Sequence, residues 1–435
     1  MVSARFFYKM ALWLLLPYIF LHLLWRARKQ PEYLHHIGER FGFYPTSADK
    51  PLIWLHTVSV GETRAAQSII TLLREIYPDH QILLTHTTPT GRATGEQLYG
   101  DDVLRAYLPY DYPFAVNHFL QHFRPQIGIL METEIWFNLI HACHKIDTPL
   151  ILLNARLSEK SARNYARFSK LTHTALGKLA AIAAQTADDA ARLSNLGAKN
   201  VFVTGNLKFD IQPPEAMLRL GKQLREQLGS TRKIFLAAST REGEEILLLD
   251  ALKSIHIPGL LLVIVPRHPQ RFDEIAQILE QRNINFLRRS EMKLQNLDTY
   301  TIPADAQALL GDSMGEMFAY YAAADLTFIG GSLLPYGGQN LIEACVVETP
   351  VLVGPHTYNF TEATRLAITA GAATLVRDAA ELALKLQYLL NNPDALHKMR
   401  QQCAGFINDN RGATDKSLSI ITPFIKAYSN ISSPL

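Results

Sequence analysis

The sequence predicts an α/β protein: two doubly wound parallel sheets, preceded by an apolar N-terminal helix. Three observations carry this. Short apolar runs alternate with helical segments from residue 51 to residue 204, and the alternation restarts at residue 234. Between the two series stands Gln212-Pro213-Pro214, a linker signal. Near residue 330 an apolar run, L-T-F-I, feeds straight into Gly330-Gly331, and a second pair, Gly337-Gly338, precedes a further apolar run ending at Gly354-Pro355. Strand, glycine turn, helix start and strand is how a parallel sheet sets a ligand at its carboxyl edge.

Composition bounds the classes. The chain has 435 residues, enough for two domains of ordinary size. Hydrophobic residues make up 48% and charged residues 19%, which supports a large core and argues against wholesale disorder. A net charge of +3 is too small to argue for nucleic acid. Cys143, Cys345 and Cys403 are far apart, match no zinc spacing and suit a reducing compartment.

In chain order, residues 10–25 are apolar apart from Pro17, Tyr18 and His22, with Arg5 and Lys9 before them and Arg26, Arg28 and Lys29 after. The run is shorter than the ~20 residues of a spanning helix. It predicts membrane association, either spanning with residues 2–7 included or lying in the interface. The denser cations after it favour a cytoplasmic body. Trp25-Arg26-Ala27-Arg28-Lys29 is no secretory cleavage site. Residues 30–50 read as a linker or short helices. Strands are expected at 51–56, 81–85, 127–131, 149–153, 180–185 and 201–204, with a helix that begins within residues 57–63 and runs to about Tyr77. In the second half they are expected at 234–237, 260–265, 309–311, 326–329 and 350–353, with helices from Ala379 onward. The expected divisions are an anchor at 1–30, a first domain at 31–212 and a second at 213–435, its last helices able to pack back on the first. A cleft is expected between the two halves.

The residues after these strands carry the candidate chemistry. Glycine lets backbone approach a phosphate, and a helix start offers free N–H groups and positive potential. Gly337-Gly338 is expected to open a helix on which Asn340 and Glu343, three apart, share a face. A carboxylate there can accept two hydrogen bonds from a ribose diol. Glu62, behind Gly61, can take a proton from a sugar hydroxyl or can simply complement the helix dipole. Glu132 and Glu134 can orient a hydroxyl or offset developing positive charge at a sugar carbon; capping, or pairing with Arg156 or Lys208, is the plainer reading. Lys208 can meet a leaving phosphate or stand solvated by the linker. Arg267, after an apolar strand and Pro266, suits a phosphate or a sugar carboxylate. Gly315-Glu316-Met317 can read a nucleobase edge through its backbone or start a helix. No acidic pattern of the kind that holds Mg²⁺ beside a nucleotide sugar stands out, so a metal-free site is expected. No Walker-type Gly-Lys-Ser/Thr is present.

Taken together the motifs resemble those of the Kdo (3-deoxy-D-manno-octulosonic acid) transferases of lipopolysaccharide synthesis, over nearly the full length. The resemblance rests on Ser59-Val60-Gly61-Glu62, Met131-Glu132-Thr133-Glu134-Ile135-Trp136, Asn154-Ala155-Arg156-Leu157-Ser158, Gly205-Asn206-Leu207-Lys208-Phe209-Asp210, Val265-Pro266-Arg267-His268-Pro269, Met314-Gly315-Glu316-Met317, Gly337-Gly338-Gln339-Asn340 and Gly354-Pro355-His356. It implies a GT-B glycosyltransferase fold with two Rossmann-like domains and an N-terminal membrane anchor. It implies CMP-Kdo as donor, with no cofactor and no metal. The acceptor would be the phosphorylated, acylated disaccharide precursor of lipid A (lipid IVA), and the anomeric centre would invert. By the family pattern Glu62 would be the general base, and Glu132 and Lys208 would stabilise the transition state. CMP would be met by Pro266 and Arg267, by Gly315, Glu316 and Met317, and by Asn340, Leu341, Ile342 and Glu343. The implied location is the inner membrane, cytoplasmic side, with a lipid surface and no nucleic acid as partner. Phe137 stands where family members often have proline, which affects loop shape only. A nucleotide-sugar epimerase or hydrolase, and a non-catalytic nucleotide-sugar scaffold, are the alternative readings.

Overall fold

The structure, a computed structural model, describes residues 4–292 and 302–431, with side chains to residue 425. The chain divides into two compact units: Met1–Asp210 with Arg411–Leu435, and Ile211–Asn410.

The first unit is built on a seven-stranded parallel sheet. Its strands are β1 (Leu52–Thr57), β2 (Gln81–His86), β3 (Leu104–Tyr107), β4 (Ile127–Met131), β5 (Leu150–Ala155), β6 (Ala181–Ala184) and β7 (Val201–Val203). Their order is β3-β2-β1-β4-β5-β6-β7. The central strands are apolar at nearly every position because helices cover both faces. Alternate side chains then feed two separate cores. Trp54, Leu83, Leu130 and Leu152 pack into one, and Ile53, Leu55, Ile129 and Ile151 into the other. The second core also takes Ala413, Ile421 and Ile425 from the C-terminal helix Ala413–Ile431.

The second unit repeats the plan with β8 (Lys233–Thr240), β9 (Leu260–Pro266), β10 (Phe286–Arg288), β11 (Ala308–Leu310), β12 (Leu326–Ile329), β13 (Val351–Val353) and β14 (Ala373–Leu375). The order is β10-β11-β9-β8-β12-β13-β14, again wholly parallel. In both sheets the order reverses beside the first strand: between β1 and β4, and between β8 and β12. The carboxyl end of such a reversal is the natural ligand crevice of a doubly wound sheet.

Several expectations are corrected. Strands β3, β10 and β14 were not anticipated. Each has only three or four residues and lies at or next to a sheet edge, and two carry an arginine (Arg105, Arg288). The single helix expected between residues 57–63 and Tyr77 is two, Val60–Ala65 and Gln67–Ile76, parted at Ala66. Gly337-Gly338 opens no helix. Both glycines have positive φ, +93° and +72°, and belong to a folded loop; the helix begins at Ile342 and is short, Ile342–Val346. Asn340 therefore precedes that helix instead of sharing its face with Glu343. The apolar N-terminal run is longer than the residues that announced it: helix Ala4–Ala27 has 24 residues and holds Pro17 inside it. Among the described residues it is the one helix long and apolar enough to cross a membrane. Residues 31–41 form two short 3₁₀ helices, Pro31–Leu34 and Ile37–Phe41.

Candidate active site

In the first unit, β1 ends at Thr57 and the chain turns at once into helix Val60–Ala65. Ser59 caps that helix, and Glu62 folds back on the turn. Val58 N–H donates to Glu62 Oε2 at 2.7 Å and the Ser59 hydroxyl donates to Glu62 Oε1 at 2.9 Å. This is a variant of the reciprocal cap, in which a side chain at the third helical position satisfies backbone ahead of the helix. The helix-start reading of Glu62 is thus true, and it fixes the carboxylate's orientation. Glu62 is buried, and its pKa is raised to about 7. Burial is the largest cause. The Val58 bond works against it, and the charges of Glu132 and Glu134 add to the rise. A carboxyl poised near neutrality is suited to accept a proton at neutral pH.

Those neighbouring carboxylates come from the other side of the reversal. β4 ends at Met131, and Glu132 follows in the left-handed region at φ +57°. A non-glycine residue there is strained, which points to a constrained functional turn. Its backbone N–H is held by the Leu153 carbonyl at 2.8 Å, and its Oε1 lies 3.1 Å from Lys208 Nζ. Lys208 sits on the 3₁₀ turn Leu207–Asp210. Asn154 positions that turn: at φ +54° it interrupts the register of β5 on β6, and its Oδ1 accepts from Leu207 N–H at 3.1 Å. The ion-pair reading of Glu132 with Lys208 therefore holds, and the pair stands at the carboxyl edge.

Glu134 is gripped by the Trp136 indole N–H at 2.6 Å, and burial raises its pKa above the usual carboxylate range. His56, wholly buried on β1, has its Nε2 3.9 Å from Glu134 Oε2. Burial pushes the His56 pKa down to about 3, so the ring is neutral and the contact is no ion pair. Its Nδ1 lies 3.1 Å from the Thr85 carbonyl and 3.0 Å from the Thr85 hydroxyl.

In the second unit, the loops after β8 and β12 interlock. Gly330 allows it: a Cβ there would sit 2.4 Å from the Ser239 carbonyl oxygen. Ser239 itself has φ +55° at the point where β8 slips register on β9. Glu244 knots the loops together. Fully buried, it accepts from Arg241 N–H at 2.9 Å, Gly331 N–H at 2.6 Å, Leu333 N–H at 3.0 Å and Leu334 N–H at 3.5 Å. The Arg241 guanidinium lies over the Tyr336 ring, 4.5 Å from its centroid. Arg267, just past β9, is tied to this knot by its N–H to the Thr240 carbonyl at 3.0 Å. His268 feels both arginines: burial first, then the charges of Arg241 and Arg267, lower its pKa. Glu242 acts the other way, pairing with Arg241 at 3.1 Å, so the positive charge at this edge is partly offset.

The remaining candidates follow neighbouring strands. Gly315, at φ +81°, and Glu316 lead from β11 into helix Met317–Ala323. Glu316 is already occupied, accepting from Arg289 at 2.9 Å and from the Ser313 hydroxyl at 2.6 Å. Asn340 Nδ2 meets Glu343 Oε1 at 3.2 Å, and its Oδ1 accepts from Ile342 N–H at 3.1 Å. Leu341 and Ile342 are buried, so only their backbone can face a ligand. Glu62, Glu132 and Lys208 thus gather in the first unit. In the second unit Pro266 and Arg267 lie at the end of β9, Gly315 to Met317 where the loop after β11 enters its helix, and Asn340 to Glu343 where the loop after β12 enters helix Ile342–Val346. Sequence reasoning assigned no role to His56, Asn154, Arg241 or Glu244. The available signal was polar residues directly after an apolar strand, in N-A-R-L-S and S-T-R-E-G-E.

Comparison with known proteins bears on these arrangements. A family profile, 3-Deoxy-D-manno-octulosonic-acid transferase (kdotransferase), matches residues 35–211. The 3-deoxy-D-manno-octulosonic acid transferase of Bordetella pertussis is 40% identical over 432 residues, 96% of this chain and 99% of that protein. That of Haemophilus influenzae is 35% identical over 429 residues, 97% of this chain and 99% of that protein. Among solved structures, a UDP-GlcNAc 2-epimerase from Neisseria meningitidis shares the fold at TM-score 0.57 and 15% identity, covering 86% of this chain and 100% of that one. A glycosyltransferase from Rickettsia africae does so at TM-score 0.57 and 15% identity, covering 87% and 99%. At such identity these two speak for the fold alone, which is that of the GT-B class.

Proposed function

The chain belongs to the Kdo transferase family of glycosyltransferases, and on that premise we propose that it moves Kdo from CMP-Kdo to the acylated disaccharide precursor of lipid A, with inversion. The single observation that carries the acceptor half is the near-neutral, hydrogen-bonded Glu62 facing the charges of Glu132 and Glu134 at the reversal of the first sheet.

The acceptor hydroxyl attacks the anomeric carbon of Kdo. A new carbon–oxygen bond forms as the bond from that carbon to the CMP phosphate oxygen breaks, and CMP leaves with the electron pair. Glu62 takes the hydroxyl proton. Glu132 offsets positive charge growing at the sugar carbon, and Lys208 holds Glu132 in place and balances negative charge nearby. Attack from the face opposite the leaving group inverts the centre. The donor is read in the second unit by Pro266 and Arg267, by the backbone of Gly315, Glu316 and Met317, and by Asn340, Leu341, Ile342 and Glu343. Cationic side chains and backbone N–H groups do the work a metal would do on the phosphate. The apolar helix Ala4–Ala27 attaches the enzyme to the inner membrane from the cytoplasmic side, where a lipid acceptor is found.

The test is direct. Full-length protein, CMP-Kdo and lipid IVA are incubated and the product weighed by mass spectrometry, with the new linkage read by NMR. A product heavier by whole Kdo units, with inverted configuration and lost in Glu62→Ala, supports the reading. CMP-Kdo binding without turnover in the unaltered protein overturns it in favour of a scaffold, and free Kdo as sole product in favour of a hydrolase.

A further inference from the structure

Helix Ala4–Ala27 touches the first unit along a single stripe from end to end. Near its start, Arg5 Nε donates to Asn138 Oδ1 at 3.3 Å and the Tyr8 hydroxyl donates to Asp111 Oδ2 at 2.8 Å. A turn later the Tyr112 hydroxyl donates to the Leu12 carbonyl at 2.7 Å, and Trp13 stacks on Phe114 with ring centroids 5.9 Å apart. At the far end Leu23 and Ala27 are buried with Tyr33. Residues 5, 8, 12, 16, 19, 23 and 27 are all partly or fully buried, a spacing of three or four that marks one helix face. The opposite stripe, Phe7, Met10, Leu14, Tyr18, Leu21 and Trp25, is exposed at the same spacing.

A spanning helix stands in hydrocarbon on every side, with its ends about 30 Å apart along the membrane normal. This helix has its first half tied directly to the globular unit, and its far end packs on Tyr33 of the segment that follows, which Arg40 links to Tyr107. Asp111, which receives Tyr8, is buried in that unit and also accepts from the backbone N–H groups of Asn138 at 2.9 Å and Leu139 at 2.8 Å. Drawing the helix across a bilayer would strip away the whole docked stripe. We infer that the helix does not span but lies in the plane of an anionic bilayer surface, docked on the first unit by one face and inserted into the lipid by the other. Arg26, Arg28 and Lys29, exposed at and just past its end, supply the attraction to acidic headgroups. The inference rests on the membrane part of the proposed function and settles its geometry: a flat helix holds the first unit's carboxyl edge at fixed height above the lipid.

The experiment uses the full chain with one cysteine at a time: Phe7→Cys, Leu14→Cys, Leu21→Cys, and Leu16→Cys on the docked face. The native cysteines are all buried, so a thiol-directed fluorophore goes to the introduced site. Labelled protein is bound to phosphatidylethanolamine–phosphatidylglycerol vesicles carrying a nitroxide quencher either at the headgroup or at the chain end. Equal, shallow quenching at 7, 14 and 21, severalfold stronger from the headgroup quencher, with little quenching at 16, supports the flat helix. Deep quenching at 14 with shallow quenching at 7 and 21 overturns it, and that comparison decides without the Leu16 variant. Failure of the full chain to sediment with these vesicles overturns the membrane reading beneath it. Transfer to detergent-dispersed acceptor, measured separately, reports on the chemistry alone.

Discussion

Glu62 answers to two demands that pull apart. As a helix cap it accepts hydrogen bonds from Val58 and Ser59, which favour the anion. Burial beside two other acids favours the neutral form, and burial wins, leaving a pKa of about 7. If Glu62 is the base, as proposed, its anion is the active form, and kcat/KM is expected to rise with pH through about 7 and to level off above it; a flat profile from pH 5 to 9 would contradict the assignment. Glu62→Gln is expected to lower kcat by roughly 10²–10⁴-fold, the range for a lost general base. The same substitution separates function from stability. A raised carboxyl pKa means the folded state holds its proton to higher pH than the unfolded state, so stability falls as pH climbs from the unfolded value toward 7. Glu62→Gln is therefore expected to melt higher than the unaltered protein at pH 8, and to show no such gain at pH 4, where both side chains are neutral. Lys208 and Glu132 act as a unit. Lys208→Met, Glu132→Gln and the double variant should be clearly non-additive in kcat, with the double variant little worse than the poorer single.

At the scale of elements, the chemistry hangs on loops that can close only because particular residues are absent or buried. Gly330→Ala drives a methyl into the Ser239 carbonyl, a backbone group that cannot swing aside. A loss of roughly 1–3 kcal/mol is expected from the overpacking, read as a lower Tm, together with a raised KM for CMP-Kdo. Glu244→Ala leaves the N–H groups of Gly331 and Leu333 buried without their acceptor, at about 1–3 kcal/mol each. Calorimetry and donor titration check both. These elements were unequally legible. β4 and β12 read directly from I-G-I-L-M and L-T-F-I, because strands covered on both faces are apolar throughout. β3, β10 and β14 did not: Arg105 interrupts β3 and Arg288 ends β10, and β14 is only Ala373–Leu375, whereas the edge strand β7 was legible from its unbroken V-F-V. The helix start at Asn340 was misjudged because Gly337 and Gly338 serve a loop with positive φ, which local sequence does not distinguish from a helix approach.

Taken whole, each unit brings residues far apart in sequence to one sheet edge: Glu62 and Glu132 after β1 and β4, Arg241 and Gly331 after β8 and β12. The first unit is completed from the other end of the chain. Asp210 accepts from Gly412 N–H at 2.8 Å and from Thr414 N–H, and Ile421 and Ile425 are fully buried in the first unit's core. Each isoleucine contributes about 1.5–3 kcal/mol. Removing residues 411–435 is thus expected to lower the melting of the first unit and to expose Ala181, Leu153 and their neighbours, seen as dye binding and aggregation. An unchanged Tm would show the helix to be dispensable.

The sequence by itself determined the parallel α/β class, the two series of strands, the apolar helix and the motifs that mark the family, because buried strands and glycine turns constrain residue type locally. Only the tertiary structure decided that burial, with two acids brought across the sheet, raises the pKa of Glu62 against the pull of its local cap. The same holds for the pairing of Lys208 with Glu132 and the gathering of four backbone N–H groups, of Arg241, Gly331, Leu333 and Leu334, on Glu244. These depend on desolvation and on distances across the sheet, and both exist only once strands far apart in the chain lie side by side.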